Sequence, residues 1–298
     1  MRGCLIFLAA TAASFCHSVV LAAQDPACDR QCLQGFTDLY LESLARHDIS
    51  KLPLAPKVKF TENGVPKKLG EGLWKTAGET TYRMEIFDPE RGDAAVQAVV
   101  RENDTLAMLM LRLKVIEKKI SEVETIVARK GAASGPIWAA EKLTRTPPNF
   151  MLSIRPAEQN SRLELLATAD AYWRAFETNG TPDYHPAPFL PDANRFENGL
   201  QTTNVKLPNF GPYTAAEQFD RGLFPGRLIY DRRYPVVDVE RGVALSIVRF
   251  GRREGVTTPN VPADSAPLVA EFFAVKSGRI QEIQVIMTLL PATTPTGW

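Results

Sequence analysis

Histidine and cysteine are scarce in this chain of 298 residues, which has three His and four Cys. Only His47 and His185 lie beyond the N-terminal apolar segment, which is interpreted below as a cleaved leader, so a three-histidine metal site is excluded, and the zincin pattern H-E-x-x-H does not occur. The sequence also lacks a G-x-S-x-G nucleophile turn, a glycine-rich phosphate loop and a dinucleotide-binding fingerprint. We therefore expect no metal and no cofactor, so that any chemistry depends on carboxylates, His, Tyr or Lys.

An excess of charge of one sign is also absent, because the formal net charge at pH 7 is +1. Without a broad basic surface to neutralise phosphates, nucleic acid is not an expected partner. Six arginines do cluster near predicted strand ends, where they favour solvated hairpins over an anion site. They are Arg227, Arg232, Arg233, Arg249, Arg252 and Arg253.

Long apolar runs are missing after the N-terminus, so the sequence predicts no membrane span. At the N-terminus, Arg2, the apolar stretch "CLIFLAATAASF" and the small residues near Ala22 and Ala23 are typical of a signal peptide over residues 1–23. The mature chain is therefore expected to be exported, either to the periplasm or out of the cell.

Two cysteines remain after the predicted cleavage, Cys28 and Cys32, because Cys4 and Cys16 belong to the leader. In an oxidising compartment their spacing predicts a small disulfide at the start of the first helix. A redox or metal site would need a neighbouring His or Cys, and none is nearby. The sequons at Asn103 and Asn179 would accept glycans only in a eukaryotic secretory host.

Short motifs occur twice in the same order along the chain. "DLYLESL" from Asp38 matches "DAYWRAF" from Asp170, and "KFTENG" matches "RFENG", which places Asn63 over Asn198. Further on, "DPERG" matches "DVERG", and "KISEVE" matches "RIQEIQ". Four collinear matches indicate a tandem duplication.

Each copy predicts the same series of elements. Apolar residues at helical spacing predict a first helix, the Asn-Gly pair predicts a tight turn, and a short second helix follows. Alternating residues then predict four strands, which in the first copy cover Thr80–Phe87, Asp93–Arg101, Leu106–Lys114 and Ile120–Ala128. The charged residues of the D-x-E-R-G motif, at the reversal between two strands, predict ion pairs across that turn or between the copies.

The leading helix with its aromatic pair, the short second helix and the last strand "GRIQEIQVIM" resemble the SnoaL-like branch of the nuclear transport factor 2 superfamily. The resemblance covers residues 32–129 and 162–291, although the first copy has Lys118 where the second has Gly278. It implies an α+β fold of two tandem cone-shaped domains, each a curved antiparallel sheet with helices packed on its concave face. It also implies that the two domains pair through their sheets.

Members of this superfamily include cofactor-free isomerases, aldol cyclases, dehydratases and carbon–carbon lyases, and many others only bind ligands or mediate association. No catalytic residue is transferred, because the motif of no particular enzyme is matched. The expected organisation is a signal peptide (1–23), a first SnoaL-like domain (28–129), a linker (130–160), a second such domain (161–291) and a tail (292–298). The second copy has the longer loops, so we expect the working cavity there.

Three residues of the second copy are candidate catalytic groups. Glu197 in the repeated turn is a candidate general base, although it would equally serve as a cap for a nearby backbone group. His185, in a proline-rich loop, either pairs with Glu197 or lies on the surface. Glu282 is predicted to share a strand face with Ile280, Gln284 and Ile286. There its carboxylate either lines a cavity or forms an ion pair on a solvated face. The same two alternatives apply to Glu122, its counterpart in the first copy.

Five further residues are candidate substrate-binding groups. Asn198, Tyr230 and Arg232 would position the substrate, and Tyr172 and Trp173 would line or fill the cavity.

The leading hypothesis is a cofactor-independent acid–base enzyme, a lyase, dehydratase or isomerase, that acts on a small apolar or aromatic oxygenated molecule in the second domain. One alternative is a secreted module that binds a small ligand without converting it. The other is a structural protein whose cones are filled by side chains.

Overall fold

The computed structural model describes residues 28–131, 137–208, 210–255, 264–295 and 297–298. The predicted signal peptide lies outside the described residues. Cys28 and Cys32 form the disulfide that their spacing predicted. Two sheets of six strands dominate the described chain.

The elements of the two halves follow each other in the same order. The first half has helix α1 (Arg30–Arg46) and strands β1 (Leu54–Glu62), β2 (Val65–Pro66), β3 (Ala77–Asp88), β4 (Asp93–Glu102), β5 (Thr105–Ile116) and β6 (Lys119–Arg129). The second half has helices α2 (Arg162–Thr178) and α3 (Ala215–Asp220) and strands β7 (Phe189–Glu197), β8 (Leu200–Gln201), β9 (Arg227–Asp238), β10 (Val243–Arg252), β11 (Ser265–Lys276) and β12 (Arg279–Pro291).

Both sheets have the same topology. Their strand orders are β2-β1-β6-β5-β4-β3 and β8-β7-β12-β11-β10-β9. The last four strands of each half form an antiparallel meander, as the alternation predicted. The sheets are nevertheless mixed, because β1 runs parallel to β6 and β7 runs parallel to β12. The sequence pattern did not predict β1 and β7, because their polar residues and prolines are typical of the loop before a turn.

Each long helix packs its apolar side against one face of its own sheet. Asp29 caps α1 by accepting a hydrogen bond from the backbone N–H of Cys32 at 2.8 Å. Ser161 and Glu164 form a capping box at the start of α2. Two separate buried clusters result, one around Tyr40 of α1 and one around Tyr172 of α2.

The repeated Asn-Gly turn has the same structural role in both halves. Asn63 and Asn198 adopt φ of 52° and 45°, in the left-handed region that Asn tolerates. The Asn63 amide accepts from the Val127 N–H at 2.7 Å and donates to the Val127 carbonyl at 3.2 Å. Asn198 bonds Met287 in the same way, with both distances 3.0 Å. The predicted equivalence of Asn63 and Asn198 is therefore confirmed.

The outer faces of the two sheets meet in a third buried cluster. It contains residues of β3 to β6 together with residues of β9 to β12, among them Met110, Ile126, Leu245 and Phe272. This cluster lies on the side of each sheet that its long helix does not cover.

The D-x-E-R-G motifs connect the halves reciprocally. Asp88 accepts a hydrogen bond from the Val237 N–H at 3.1 Å, and Asp238 accepts one from the Phe87 N–H at 3.0 Å. Arg162, at the start of α2, pairs with Asp88, and Arg30, at the start of α1, pairs with Asp238. The predicted contacts between the copies are thus confirmed for both aspartates. Their cationic partners, however, are helix-start arginines rather than arginines of the motif.

Candidate functional site

The two helix-side cores differ in polarity at matching positions. Phe60 and Arg195 each lie three residues before the turn Asn, and they pair with Val123 of β6 and Ile283 of β12 respectively. Phe60 is part of the apolar core of the first half. Arg195 takes the same place in the second half with only 1% of its surface exposed.

Two more core positions change from apolar to polar. Leu111 lies between Val96 and Thr125 in the first sheet, and Glu271 lies between Ser246 and Val285 in the second. Leu111 and Val96 belong to the apolar core, whereas Glu271 and Ser246 are polar and have 3% and 0% exposed surface. The second half thus buries an arginine, a glutamate and a serine where the first buries three apolar side chains.

Arg195 is held by several polar neighbours. Its Nε lies 2.8 Å from Glu197 Oε1, and its Nη2 donates to Gln218 Oε1 at 2.6 Å. Gln218 belongs to α3 and donates in turn to the Thr202 carbonyl at 2.6 Å. The Glu197 side chain is 13% exposed, so it lies nearer the protein surface than Arg195.

Tyr172 and Glu271 complete this group, which we name the Arg195 cluster: Tyr172, Arg195, Glu197 and Glu271. Tyr172, Arg195 and Glu271 interact electrostatically with one another. Arg195 Nη1, the Tyr172 hydroxyl and Glu271 Oε2 are all buried, and none forms a hydrogen bond of ordinary geometry to a described residue. Tyr172 does interact with Arg195 and with Glu271 through weaker side-chain hydrogen bonds, so these three buried groups are partnered mainly by one another.

The protonation states within the cluster follow from its burial. Burial raises the pKa of Glu271 to about 8, a rise that Arg195 opposes and Glu197 reinforces. Burial also raises the pKa of Tyr172 well above its ordinary value. For Arg195, burial lowers the pKa, but the nearby Tyr172, Glu197 and Glu271 raise it by more. At neutral pH the cluster therefore has a cationic Arg195 beside a mostly neutral Glu271.

Aromatic rings surround the Arg195 cluster. Tyr172 has edge-on contacts with Trp173 and Phe273, at 4.9 and 5.1 Å between ring centroids. Trp173 donates from Nε1 to Ser246 Oγ at 3.1 Å. Both Tyr172 and Trp173, predicted to line or fill the cavity, are fully buried in this core.

The other candidates from the sequence lie elsewhere. His185 is exposed, in a loop where its backbone N–H donates to Thr178 Oγ1 at 3.1 Å. Arg232 forms ion pairs with Asp170 and Glu177 of α2. Tyr230 is 48% exposed on β9. These three side chains do not belong to the Arg195 cluster.

Two candidates from the repeated motifs have structural partners. Asn198 uses its amide to hold β12, as described above. Glu62, the counterpart of Glu197, accepts from the Leu73 N–H at 2.7 Å and caps a 3₁₀ turn. The glutamate of the repeated turn therefore caps a backbone group in the first half, where it is Glu62. In the second half the equivalent residue, Glu197, pairs with Arg195 instead.

The predicted face of Glu282 is wrong in one respect. Val275 pairs with Ile280 and Ala274 with Glu282, so Gln281 is an extra residue that shifts the alternation. Ile280 consequently faces the helix-side core, while Ile286 faces the other sheet.

Glu282 is buried and accepts hydrogen bonds from Asn149 and Gln284, both at 2.8 Å, and burial raises its pKa. It interacts with Tyr82 of the first half. Its counterpart Glu122 pairs with Arg112, the ion-pair alternative for this position.

Sequence reasoning missed Arg195 and Glu271 as site residues. Glu271 was visible as the single charge within "APLVAEFFAV", a strand that is otherwise apolar. Arg195 was missed because the alignment of the motifs "KFTENG" and "RFENG" placed Phe60 opposite Phe196. Only the strand pairing places Phe60 against Arg195.

Two further properties bear on the kind of site. Across the described ranges, no three His, Cys, Asp or Glu residues lie close enough together to hold a metal ion. Among the described helices, none is both long and apolar enough to cross a membrane.

The chain belongs to a protein family described as a domain of unknown function, DUF8021, which matches residues 27–127 and 158–287. The matched segments contain one six-stranded sheet each, so the chain has two tandem sheet-rich domains. No curated protein matches the chain.

Among solved structures, a de novo designed protein with a curved β-sheet is similar, with 19% identity and a TM-score of 0.30. That likeness covers 34% of this chain and 89% of the designed one. A protein from Rhodopseudomonas palustris with a provisional isomerase assignment is 20% identical, with a TM-score of 0.28. It aligns over 42% of this chain and 88% of its own.

Proposed function

We propose that this protein is a cofactor-independent acid–base enzyme of the SnoaL-like kind: a lyase, dehydratase or isomerase. Its substrate would be a small apolar or aromatic oxygenated molecule bound at the Arg195 cluster of the second domain. The observation that carries the proposal is the change of three apolar core positions into Arg195, Ser246 and Glu271. Buried charge destabilises a fold unless it is compensated, so its placement in only one of two related cores favours a functional role.

Each member of the cluster has a role in this proposal. In its ionised form, which predominates above a pH of about 8, Glu271 accepts a proton from a carbon next to a substrate carbonyl and returns one at the same or another atom. The electron pair left on carbon moves to the carbonyl oxygen, which Arg195 Nη1 and the Tyr172 hydroxyl stabilise. Glu197 holds Arg195 in place, and the aromatic rings contact the apolar part of the substrate.

The proposal assigns a supporting role to the first domain. Its helix-side core is apolar at the matching positions, and the reciprocal aspartate contacts attach it to the second domain. We infer that the two halves act as a covalent pair in an exported protein. His185 and Glu282 are not part of the proposed site, because one is exposed and the other faces the opposite side of the sheet.

A hydrogen–deuterium exchange screen tests the enzymatic proposal. The full mature chain is incubated in D₂O with a panel of small aromatic and aliphatic ketones, hydroxyketones and hydroxy acids, and NMR records deuterium incorporation at carbon. Acid–base chemistry of the proposed kind predicts catalysed exchange in at least one compound. Glu271→Gln and Arg195→Met should each reduce the exchange rate at least 100-fold.

The matched control for that screen is Glu90→Gln, an exposed carboxylate in the first half, which should leave the rate unchanged. Exchange that persists in Glu271→Gln would remove Glu271 from the mechanism. Saturable binding of a panel compound without exchange or turnover would favour the alternative, a module that binds a ligand without converting it.

A further inference from the structure

A second polar region lies outside the Arg195 cluster, at the ends of β9, β10 and β11. It is a cleft of about 550 Å³, and its lining includes Arg249, Tyr230 and Pro267. Arg249 projects from the face of β10 that carries Ile247, the face directed toward the first sheet, whereas Phe250 belongs to the helix-side core. Arg249 and Phe250 thus lie on opposite faces of β10, and both line the cleft at the end of that strand.

Arg249 is a buried cation that forms no ion pair with any described residue. It is 5% exposed, and its Nη2 donates to the Pro291 carbonyl at 3.2 Å. Its Nη1 is buried and has no hydrogen-bond partner within the described chain, and no described carboxylate lies within ion-pair distance. Burial lowers the pKa of Arg249, and only Asp231 opposes that effect. An unpaired buried cation is costly, so an anion that reached Nη1 would gain a strong, charge-assisted contact.

Neighbouring residues add positive charge to the same cleft. Arg227 and Arg252 lie directly opposite each other on β9 and β10, and both line the cleft. Burial lowers the pKa of Arg227, and the like charge of Arg252 lowers it further. Glu197 partly offsets the charge of Arg227, and Asp231 is the acidic residue of the described lining, so the positive charge that a ligand would meet rests mainly on Arg249. The cleft is therefore suited to a negatively charged ligand.

An aromatic wall lies next to these charges. The Tyr230 ring covers Gly251 so closely that a Cβ added there would lie 2.1 Å from the ring. Only glycine at position 251 lets Tyr230 lie flat against β10. Ala266, Pro267 and Pro295 add further apolar surface to the lining. A ligand that contacts both this surface and Arg249 would combine an anionic group with an apolar body.

We propose that this cleft binds a small organic anion, whose carboxylate or phosphate group contacts Arg249 and whose apolar or aromatic body packs on Tyr230. Three of the six arginines that the sequence assigned to solvated hairpins, Arg227, Arg249 and Arg252, line this proposed site. None of the lining residues belongs to the Arg195 cluster, although Arg227 interacts electrostatically with Glu197, and the inference does not depend on the enzymatic proposal.

Calorimetric titration of the full mature chain tests the inference with four probes: benzoate, phenyl phosphate, inorganic phosphate and the neutral analogue benzamide. Benzoate or phenyl phosphate should bind at least tenfold more tightly than benzamide, and the stronger of the two identifies the preferred anion. Arg249→Met should weaken that binding at least tenfold. The matched control, Arg253→Met, changes an exposed arginine outside the lining and should stay within twofold of the wild type.

Two further measurements separate binding from structure. Arg249→Met replaces an unpaired buried charge by an apolar group, so the variant should fold and its Tm should not fall. Tyr230→Ala should weaken benzoate or phenyl phosphate but leave inorganic phosphate unchanged. Equal affinity for benzamide, absence of binding by any anion, or full binding by Arg249→Met would each overturn the inference.

Discussion

At the scale of single residues, the second domain buries ionisable groups where the first buries hydrocarbon. Glu271 and Arg195 occupy the positions that Leu111 and Phe60 occupy in the first domain, and neither polar side chain is in contact with bulk water. Such groups destabilise a core unless they neutralise each other or change protonation state. The raised pKa of Glu271 is the consequence of that cost, because the neutral acid is the form that a buried site tolerates.

The protonation of Glu271 predicts a specific dependence of stability on pH. Its pKa is raised in the folded chain, so its contribution to stability is present at low pH and is lost as the pH rises through about 8. The stability difference between wild type and Glu271→Gln should therefore change by about 4 kcal/mol between roughly pH 5 and 8.5, because the loss begins above the ordinary glutamate pKa of 4.5 and levels off above the folded pKa of about 8. Urea unfolding at both pH values measures it. Glu90→Gln serves as the exposed control, and a difference that is constant with pH would contradict the prediction.

At the scale of elements, the Asn-Gly turn fixes where the parallel strand meets the last strand of each sheet. Asn63 and Asn198 use both ends of the amide to bond one residue of β6 or β12, in a backbone conformation that most residues avoid. The register that results is what places Arg195 on the helix side of the second sheet. The turn therefore contributes to the site through geometry.

Removal of either turn amide should cost a similar amount of stability. Asn63→Ala loses two hydrogen bonds, and Asn198→Ala loses the equivalent two and a longer one to the Ile137 carbonyl at 3.4 Å. Both variants retain a strained φ, so we expect each to lower the free energy of unfolding by about 2–4 kcal/mol. Asn103→Ala is the matched control, because Asn103 has a φ of 51° on an exposed turn. It should cost about 1 kcal/mol. Equal losses in all three variants would show that the amide bonds contribute nothing beyond backbone strain.

Sequence patterns predicted the duplicated plan, the long helices, the antiparallel strands and the disulfide, because each depends on local spacing. They missed β1 and β7, whose parallel pairing depends on distant strands. They also missed the extra Gln281, which a period of two does not reveal and which decides the face of Glu282. Arg195 and Glu271 come together only through the fold. A charge inside an apolar strand was nevertheless a usable signal for Glu271.

At the scale of the whole molecule, each half supplies an aspartate that caps a backbone N–H of the other. Asp88 and Asp238 are both 1% exposed, and each also binds an arginine at the start of the partner half's long helix. The contacts are reciprocal, so the two halves are related approximately as the subunits of a symmetric dimer are. Stability should therefore be shared between the halves.

The reciprocal contacts predict equal effects of equivalent substitutions. Asp88→Asn and Asp238→Asn each remove a buried carboxylate that binds both a partly buried arginine and a backbone N–H of the other half, so each should lower the free energy of unfolding by about 2–4 kcal/mol. Glu90→Gln, which removes only an exposed ion pair to Arg162, should cost less than about 1 kcal/mol. Thermal and urea unfolding measure these losses. A large loss in one aspartate variant and none in the other would argue against reciprocal roles.

The fusion of two halves that contact each other reciprocally also determines how a mutation affects the protein. In a homodimer every mutation appears in both subunits, so a charge placed in the core weakens both at once. In a fused pair each mutation appears in one half, and the other half keeps an apolar core, whose stability contributes to that of the whole chain. The buried Arg195 and Glu271 therefore destabilise one core of this chain, whereas the same residues in a homodimer would destabilise both.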